Sequence, residues 1–145
     1  MRLTKPKGRA RDPPVALLER VPLFASVAAD DLSWFARAGR LRRLREGEAV
    51  VIEGSYGSTF FLLLSGSATV SVHGVPVRAL NPGDTFGEVA AVTRGRRTAT
   101  VTAATEVEVL TWMSWDLRGL LNANGDLAWQ LATKIASLVQ APDGV

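Results

Sequence analysis

Apolar residues are spaced for helices at the two ends of the chain and for strands between them. Near the start, Val15, Leu17 and Leu18 make a short amphipathic turn that Pro22 stops. Ser26 or Asp30 can then cap a second helix carrying Leu32, Trp34, Phe35 and Ala38, and Gly39 ends it. Near the far end, Ser114 can cap a helix over Trp115–Asn122. Asn124-Gly125 separates it from a last helix, roughly 126–140, with Leu127, Leu131, Ile135 and Leu138 on one stripe and Pro142 closing it.

The middle runs at a different period. β-branched and apolar segments follow one another at short, even spacing: Ala49–Glu53, Ser58–Ser65, Ser67–His73, Val75–Leu80, Thr98–Ala104 and Glu106–Trp112. Gly47, Gly54, Gly57, Gly66, Gly74 and Pro82-Gly83 separate most of them. Many short strands with glycine corners predict an antiparallel sandwich or barrel. His73-Gly74 reads as a two-residue hairpin turn, with Ala68, Val70 and Val72 inward and Ser67, Thr69 and Ser71 outward. Arg40, Arg42, Arg43 and Arg45 alternate with Leu41 and Leu44, which suits the solvated outer face of an edge strand. The plan is helices, a β-roll, then helices: one α+β domain without internal repeats.

Composition narrows the chemistry. With 145 residues, 47% of them hydrophobic and 21% charged, the chain has the make-up of one folded domain. A net charge of +3 mildly favours anionic ligands. The absence of cysteine excludes disulfides, thiolate zinc sites and iron–sulfur clusters. A single histidine, His73, excludes a histidine-rich metal centre and with it a cupin-like β-barrel enzyme. Residues 1–13 are basic and lack apolar periodicity; such arms are more often solvated than nucleic-acid tethers. Asp12, two prolines and Glu19 interrupt what would be the apolar core of a signal peptide. No apolar run approaches the ~18 residues of a membrane span. The expected location is the cytoplasm.

One stretch does not read as plain strand: Phe86-Gly87-Glu88-Val89-Ala90-Ala91-Val92-Thr93-Arg94-Gly95-Arg96-Arg97-Thr98-Ala99-Thr100-Val101. The apolar patch Val89–Val92, between a glycine and a basic turn, suits one or two helical turns inserted between strands. The start of such a helix presents unpaired N–H groups to an anion. Gly87 allows close approach because it has no Cβ. Arg97 can add a planar fork of donors to the same anion.

This stretch resembles the phosphate-binding cassette of the cyclic-nucleotide-binding domains of kinases, channels and bacterial regulators. Phe86-Gly87-Glu88-Val89-Ala90 and Arg97-Thr98-Ala99-Thr100-Val101 match its two halves, at the same spacing. The likeness continues in Val21-Pro22-Leu23-Phe24, Arg45-Glu46-Gly47-Glu48, Ile52-Glu53-Gly54, Phe60–Gly66 and Leu80-Asn81-Pro82-Gly83-Asp84. One position departs: the family usually has proline before the arginine, and this chain has Arg96. Losing proline should loosen the approach to Arg97, while Arg96 adds positive potential.

The resemblance implies an antiparallel, jelly-roll-like β-roll of about eight strands, with a cassette helix and a terminal helix acting as a lid. It implies that the ligand is cAMP or cGMP, with no cofactor. By that resemblance Arg97 pairs with the phosphate, Glu88 accepts from the ribose 2′-hydroxyl, and Gly87, Val89 and Ala90 surround phosphate and sugar. Thr98, beside the phosphate and followed by Ala99, can also reach a guanine edge. Val70, Val72 and Leu80 would wall the base pocket, and Trp129, Lys134 or Ile135 would cap the base. Without ligand, Arg97 is expected to be solvated. The expected division is a basic arm (1–13), a binding domain (14–140) and a tail (141–145). Within the domain, 14–40 are helical, 41–112 form the roll with its cassette at 86–101, and 114–140 are hinge and lid. Such a module is a non-enzymatic receiver that acts on an effector protein or on an output domain outside this chain. It would contain neither a nucleic-acid-binding domain nor a membrane segment. The competing reading is a scaffold that kept the fold and lost the ligand.

Overall fold

Strand β3, Phe60–Ser65, explains the layering. Its run Phe-Phe-Leu-Leu-Leu is apolar on both faces, and a strand of that kind must be covered on both sides. Phe61 and Leu63 point into the space between two sheets, while Phe60 and Leu62 point outward under helices. Strand β8, Val107–Trp112, is built the same way: Val107 and Val109 face inward, Leu110 and Trp112 face the helices. β3 and β8 pair antiparallel, Phe60 opposite Trp112 and Leu62 opposite Leu110, so the two double-sided strands form the centre of the molecule.

The computed structural model describes residues 15–93 and 95–140, the last three without their side chains; the expected basic arm and tail lie outside the described residues. The remaining strands are β1 (Arg40–Leu44), β2 (Ala49–Val51), β4 (Ala68–Val72), β5 (Val75–Leu80), β6 (Thr85–Phe86) and β7 (Thr100–Ala103). They form two four-stranded sheets, in the orders β1-β8-β3-β6 and β2-β7-β4-β5, with every pairing antiparallel. The architecture is an α+β β-roll. β1 is an edge strand with Arg40, Arg42 and Arg43 exposed, as its alternation predicts. The β4–β5 hairpin turns at His73 and Gly74 with φ of +52° and +80°, the left-handed pair of a type I′ turn.

Five strands are shorter than the apolar runs that predict them, and only β5 keeps its full run; β2 and β3 are cut back for one shared reason. β2 stops at Val51 and β3 starts at Phe60, because the chain between them leaves the sheet and bonds to the segment after the cassette. Glu53 N–H donates to Thr100 Oγ1 at 3.0 Å, and Gly54 N–H to the Arg97 carbonyl at 2.9 Å.

Five α-helices complete the fold: α1 (Val15–Glu19), α2 (Ala29–Ala38), α3 (Glu88–Thr93), α4 (Ser114–Ala123) and α5 (Gly125–Gln140), with a 3₁₀ turn at Pro22–Phe24. Leu18, Phe24, Phe35, Leu117, Leu120, Leu127 and Leu131 cover the outer face of the β3–β8 sheet. Phe35 stacks on Trp112 at 4.4 Å between centroids, and the indole N–H donates to the Phe35 carbonyl at 2.7 Å. Neither Ser26 nor Asp30 caps α2, whose N-cap is Ala28. The Ala28 N–H is taken by Asn124 Oδ1 at 3.3 Å, and Asn124 Nδ2 donates to Asp31 at 3.1 Å. The cap therefore comes from the α4–α5 junction, not from a neighbour in sequence. Ser114 likewise begins α4 without acting as its cap.

Candidate functional site

The segment between β6 and β7 carries the chemistry. Gly87 has φ of +84°, and a Cβ there would lie 2.7 Å from the Thr59 carbonyl oxygen and 3.1 Å from Arg97 Nη1. Only glycine lets the chain turn at this point and bring Arg97 against it. From Gly87 the chain enters α3, so the expected short helix is present, with Glu88, Val89, Ala90 and Ala91 all buried.

Arg97 is 7% exposed, not solvated as expected. Its Nη2 donates to the Thr59 carbonyl at 3.1 Å and its Nη1 to the Gly87 carbonyl at 3.4 Å. Its guanidinium lies 5.6 Å from the centroid of Phe61, which stacks on Phe86 at 4.7 Å. Removal from water pushes the guanidinium below its ordinary pKa. The sequence could not show this, because the Thr59 carbonyl and the Phe61 ring that receive Arg97 together with Gly87 lie in the loop before β3 and on β3. Among the described residues no carboxylate pairs with Arg97.

Glu88 is 0% exposed. Its Oε2 accepts from Thr85 Oγ1 at 3.0 Å and from Lys134 Nζ, which also donates to Thr85 Oγ1 at 2.9 Å. Its Oε1 has no hydrogen-bond partner among the described residues. Lys134 reaches this point because it lies one turn beyond Leu131 and two beyond Leu127, on the inward stripe of α5.

A small cleft, about 10 Å³ in volume, opens beside Arg97. Gly87, Val89, Ala90, Arg97, Thr98 and Ala99 line it, together with Val51, Phe86 and Val101. Six of the seven expected ligand-binding residues are thus brought to one surface; the seventh, Glu88, is fully buried and does not line it. A second, larger cleft, of about 200 Å³, is bordered by Arg78, Ala79, Leu80, Asp84, Thr85 and Lys134.

The residues expected around the base are scattered. Leu80 borders the second cleft. Val70 is fully buried between the sheets, Val72 packs against the same core, and neither borders either cleft. Of the three expected base caps, Trp129 is 76% exposed, Ile135 packs against the helical core, and Lys134 pairs with Glu88. Sequence reading passed over Thr85, Thr59 and Val51. Thr85, three residues before Glu88, fits the spacing of a local side-chain bond. Thr59 acts through its carbonyl and leaves no side-chain signal.

Comparison with known proteins agrees with the geometry. The family model for the cyclic nucleotide-binding domain matches residues 41–124. The chain belongs to that family. A cyclic nucleotide-gated potassium channel of Rhizobium etli is 34% identical over 112 residues, which are 77% of this chain and 31% of the channel. A cAMP-dependent protein kinase regulatory subunit of Emericella nidulans is 40% identical over 96 residues, 65% of this chain and 23% of the subunit. The regulatory domain of Toxoplasma gondii PKA, crystallised with cAMP, aligns with a TM-score of 0.74 at 25% identity, covering 83% of this chain and 48% of that one. The chain spans less than a third of those two curated relatives. As a cyclic nucleotide-binding domain it has the expected β-roll. Among the described residues no helix is long and apolar enough to cross a membrane, and no cluster of His, Cys, Asp or Glu could hold a metal.

Proposed function

We propose that this domain, within residues 14–140, binds a 3′,5′-cyclic purine nucleotide and serves as a regulatory receiver without enzymatic activity of its own. The observation that carries the reading is the cleft at Gly87 and Arg97, where a buried guanidinium has no carboxylate partner among the described residues. A cation removed from water is costly unless an anion compensates it. The Thr59 and Gly87 carbonyls use two of the five guanidinium N–H groups and orient the rest. A cyclic phosphodiester, compact and singly charged, meets that need. A 5′-monophosphate brings a second charge and a larger desolvation cost.

In this reading Arg97 holds the phosphate, and Gly87, Val89, Ala90, Thr98 and Ala99 shape the wall around it. Glu88 takes the ribose 2′-hydroxyl on Oε1, the oxygen left over by Thr85 and Lys134. Lys134 belongs to α5, so an event at Glu88 is mechanically joined to the terminal helix. Nucleotide binding then shifts the population of α5 positions, and an effector protein or output domain reads that shift. The same ligand class is named in the relatives: one is a cyclic nucleotide-gated channel, another a cAMP-dependent kinase subunit. Action in the cytoplasm fits this role. The test is calorimetric titration of the folded domain with cAMP and cGMP, with 5′-AMP as control. Saturable binding of at least one cyclic nucleotide, much tighter than 5′-AMP, is expected; equal affinity for 5′-AMP, or no cyclic-nucleotide binding at high micromolar concentration, overturns the reading.

A further inference from the structure

Arg96 occupies the position where the chain departs from its family, and its side chain does not face the cleft. It turns to the loop between β2 and β3. Its guanidinium sits 4.5 Å over the Tyr56 ring, and its Nη1 donates to the Gly54 carbonyl at 2.9 Å. Tyr56 and Arg96 also face each other in an isolated antiparallel bridge. Beside them, Arg97 N–H donates to the Ser55 carbonyl at 2.8 Å, and Gly54 N–H donates to the Arg97 carbonyl at 2.9 Å. The main chain of Arg97 is therefore held by residues 54 and 55, on the loop that Arg96 and Tyr56 close from outside.

The same loop receives the Arg97 side chain. A Cβ on Gly57 would lie 3.0 Å from Arg97 Nε, so the guanidinium lies close against bare backbone there. Thr59, two residues on, supplies a carbonyl. Glycines at 54 and 57 make this loop cheap to deform, and it contributes to neither sheet. A contact that holds its outer side keeps the cradle of Arg97 in place.

We propose that Tyr56 and Arg96 are positioning residues for Arg97, a cation–π and hydrogen-bond clamp that supplies by contact the rigidity a proline at 96 would supply covalently. On this proposal Arg96 offsets the loosening expected from the lost proline, by a contact on the side away from the cleft. The clamp's effect on affinity rests on the cyclic-nucleotide reading; its effect on Arg97 does not. The ring of Tyr56 does the work, and its hydroxyl does none.

The experiment has two readouts on Tyr56→Ala, Tyr56→Phe, Arg96→Ala and the double alanine variant. In calorimetric titration with cAMP and cGMP, each single alanine change should weaken binding about two- to fivefold, the range of an exposed cation–π contact. Tyr56→Phe should bind like wild type, and the double variant no worse than the weaker single one. In an Arg97→Lys background, Tyr56→Ala should cause no further loss. The second readout needs no nucleotide: the NMR signal of the Arg97 side-chain Nε–H should be sharp and shifted from that of a free arginine in wild type and in Tyr56→Phe, and broadened in Tyr56→Ala. Thermal melts should barely move, since both side chains are exposed. An unchanged Nε–H signal in Tyr56→Ala overturns the clamp whatever the ligand. Failure of wild type to bind any cyclic nucleotide overturns the functional reading instead, and the Nε–H signal still decides the clamp.

Discussion

The two charged residues that bracket the cassette helix are held in opposite ways. Arg97 rests on neutral groups of the β-roll: two carbonyls, an aromatic ring and the loop backbone. Glu88 meets a cation from α5, a separate layer of the molecule. Among the described residues, the positive group is thus buried without a counter-charge, while the negative group is buried with one. In the proposed reading, the difference gives each end its kind of ligand atom. Arg97 gains most from an anion, whereas Glu88 is already balanced and can offer its remaining oxygen to a neutral hydroxyl. In the proposed reading it also separates recognition from response, because the phosphate end lies on the β-roll and the ribose end is joined to α5 through Lys134.

The largest way to test that contrast is to remove the unbalanced charge. Arg97→Ala should leave a bound phosphate short of two charge-assisted bonds. Truncating one partner of a buried charge pair costs ~2–5 kcal/mol, or about 30-fold to several thousand-fold in affinity. Arg97→Lys should rescue little, because an ammonium does not reproduce the fork that spans two carbonyls and a phosphate. The free variant should stay folded despite the burial of Arg97. Losing two bonds to carbonyls costs ~1–2 kcal/mol, and relief from the desolvated cation offsets part of it. Titration and thermal melts read the two quantities separately. Wild-type affinity in Arg97→Ala would end the assignment of the phosphate end.

Lys134→Ala inverts the experiment at the balanced end. It leaves Glu88 fully buried beside Thr85 alone, so here stability should fall. The cost should be roughly 2–3 kcal/mol, below the ~3–5 of a fully buried pair, because water reaches the lysine end. The Lys134 side chain is 35% exposed and that of Glu88 0%. Affinity should also drop, by about three- to thirtyfold, and the loss should vanish when 2′-deoxy-cAMP replaces cAMP, since no 2′-hydroxyl then depends on Glu88. Hydrogen exchange should show α5 less protected in the variant. If Lys134→Ala matched Arg97→Ala in its pattern, affinity lost and stability kept, the contrast between the two ends would collapse.

How far this contrast could be read from the sequence follows from chain distance. The hairpin at His73-Gly74 and the short cassette helix are local patterns, and they stand in the structure where those patterns place them. What escaped reading came from afar. Asn124 caps α2 across the fold, so Ser26 and Asp30, each a sound local signal, are not used. Arg97 is buried because β3 and the loop before it fold over its guanidinium, and no feature of residues 96–98 encodes that. The inward stripe of α5 could be counted to Lys134, but its partner Glu88 could not, because periodicity gives a face and not what the face meets. Val70 shows the limit from the other side. Its inward direction was legible, and inward here means the core between the sheets, not the cleft.

The smallest effect concerns base choice, and it lies on the Arg97 side of the contrast. Thr98 is exposed and lines the cleft beside Arg97, so its hydroxyl is available to a ligand instead of being spent inside the protein. Guanine presents acceptors at O6 and N7, whereas adenine presents a donor in place of O6. A hydroxyl can serve either, but a ligand folded back over the phosphate would bring guanine's own 2-amino donor toward Thr98 as well. Thr98→Ala should therefore weaken cGMP more than cAMP. One neutral hydrogen bond is worth only ~0.5–1.5 kcal/mol, so the difference should be a few-fold to about tenfold. Paired titrations of wild type and Thr98→Ala with both nucleotides measure it. Equal losses would mean that the hydroxyl serves the phosphate. Thr98 would then join Arg97 in anion binding, and base selection would have to come from the α5 side, where Lys134 and the second cleft lie.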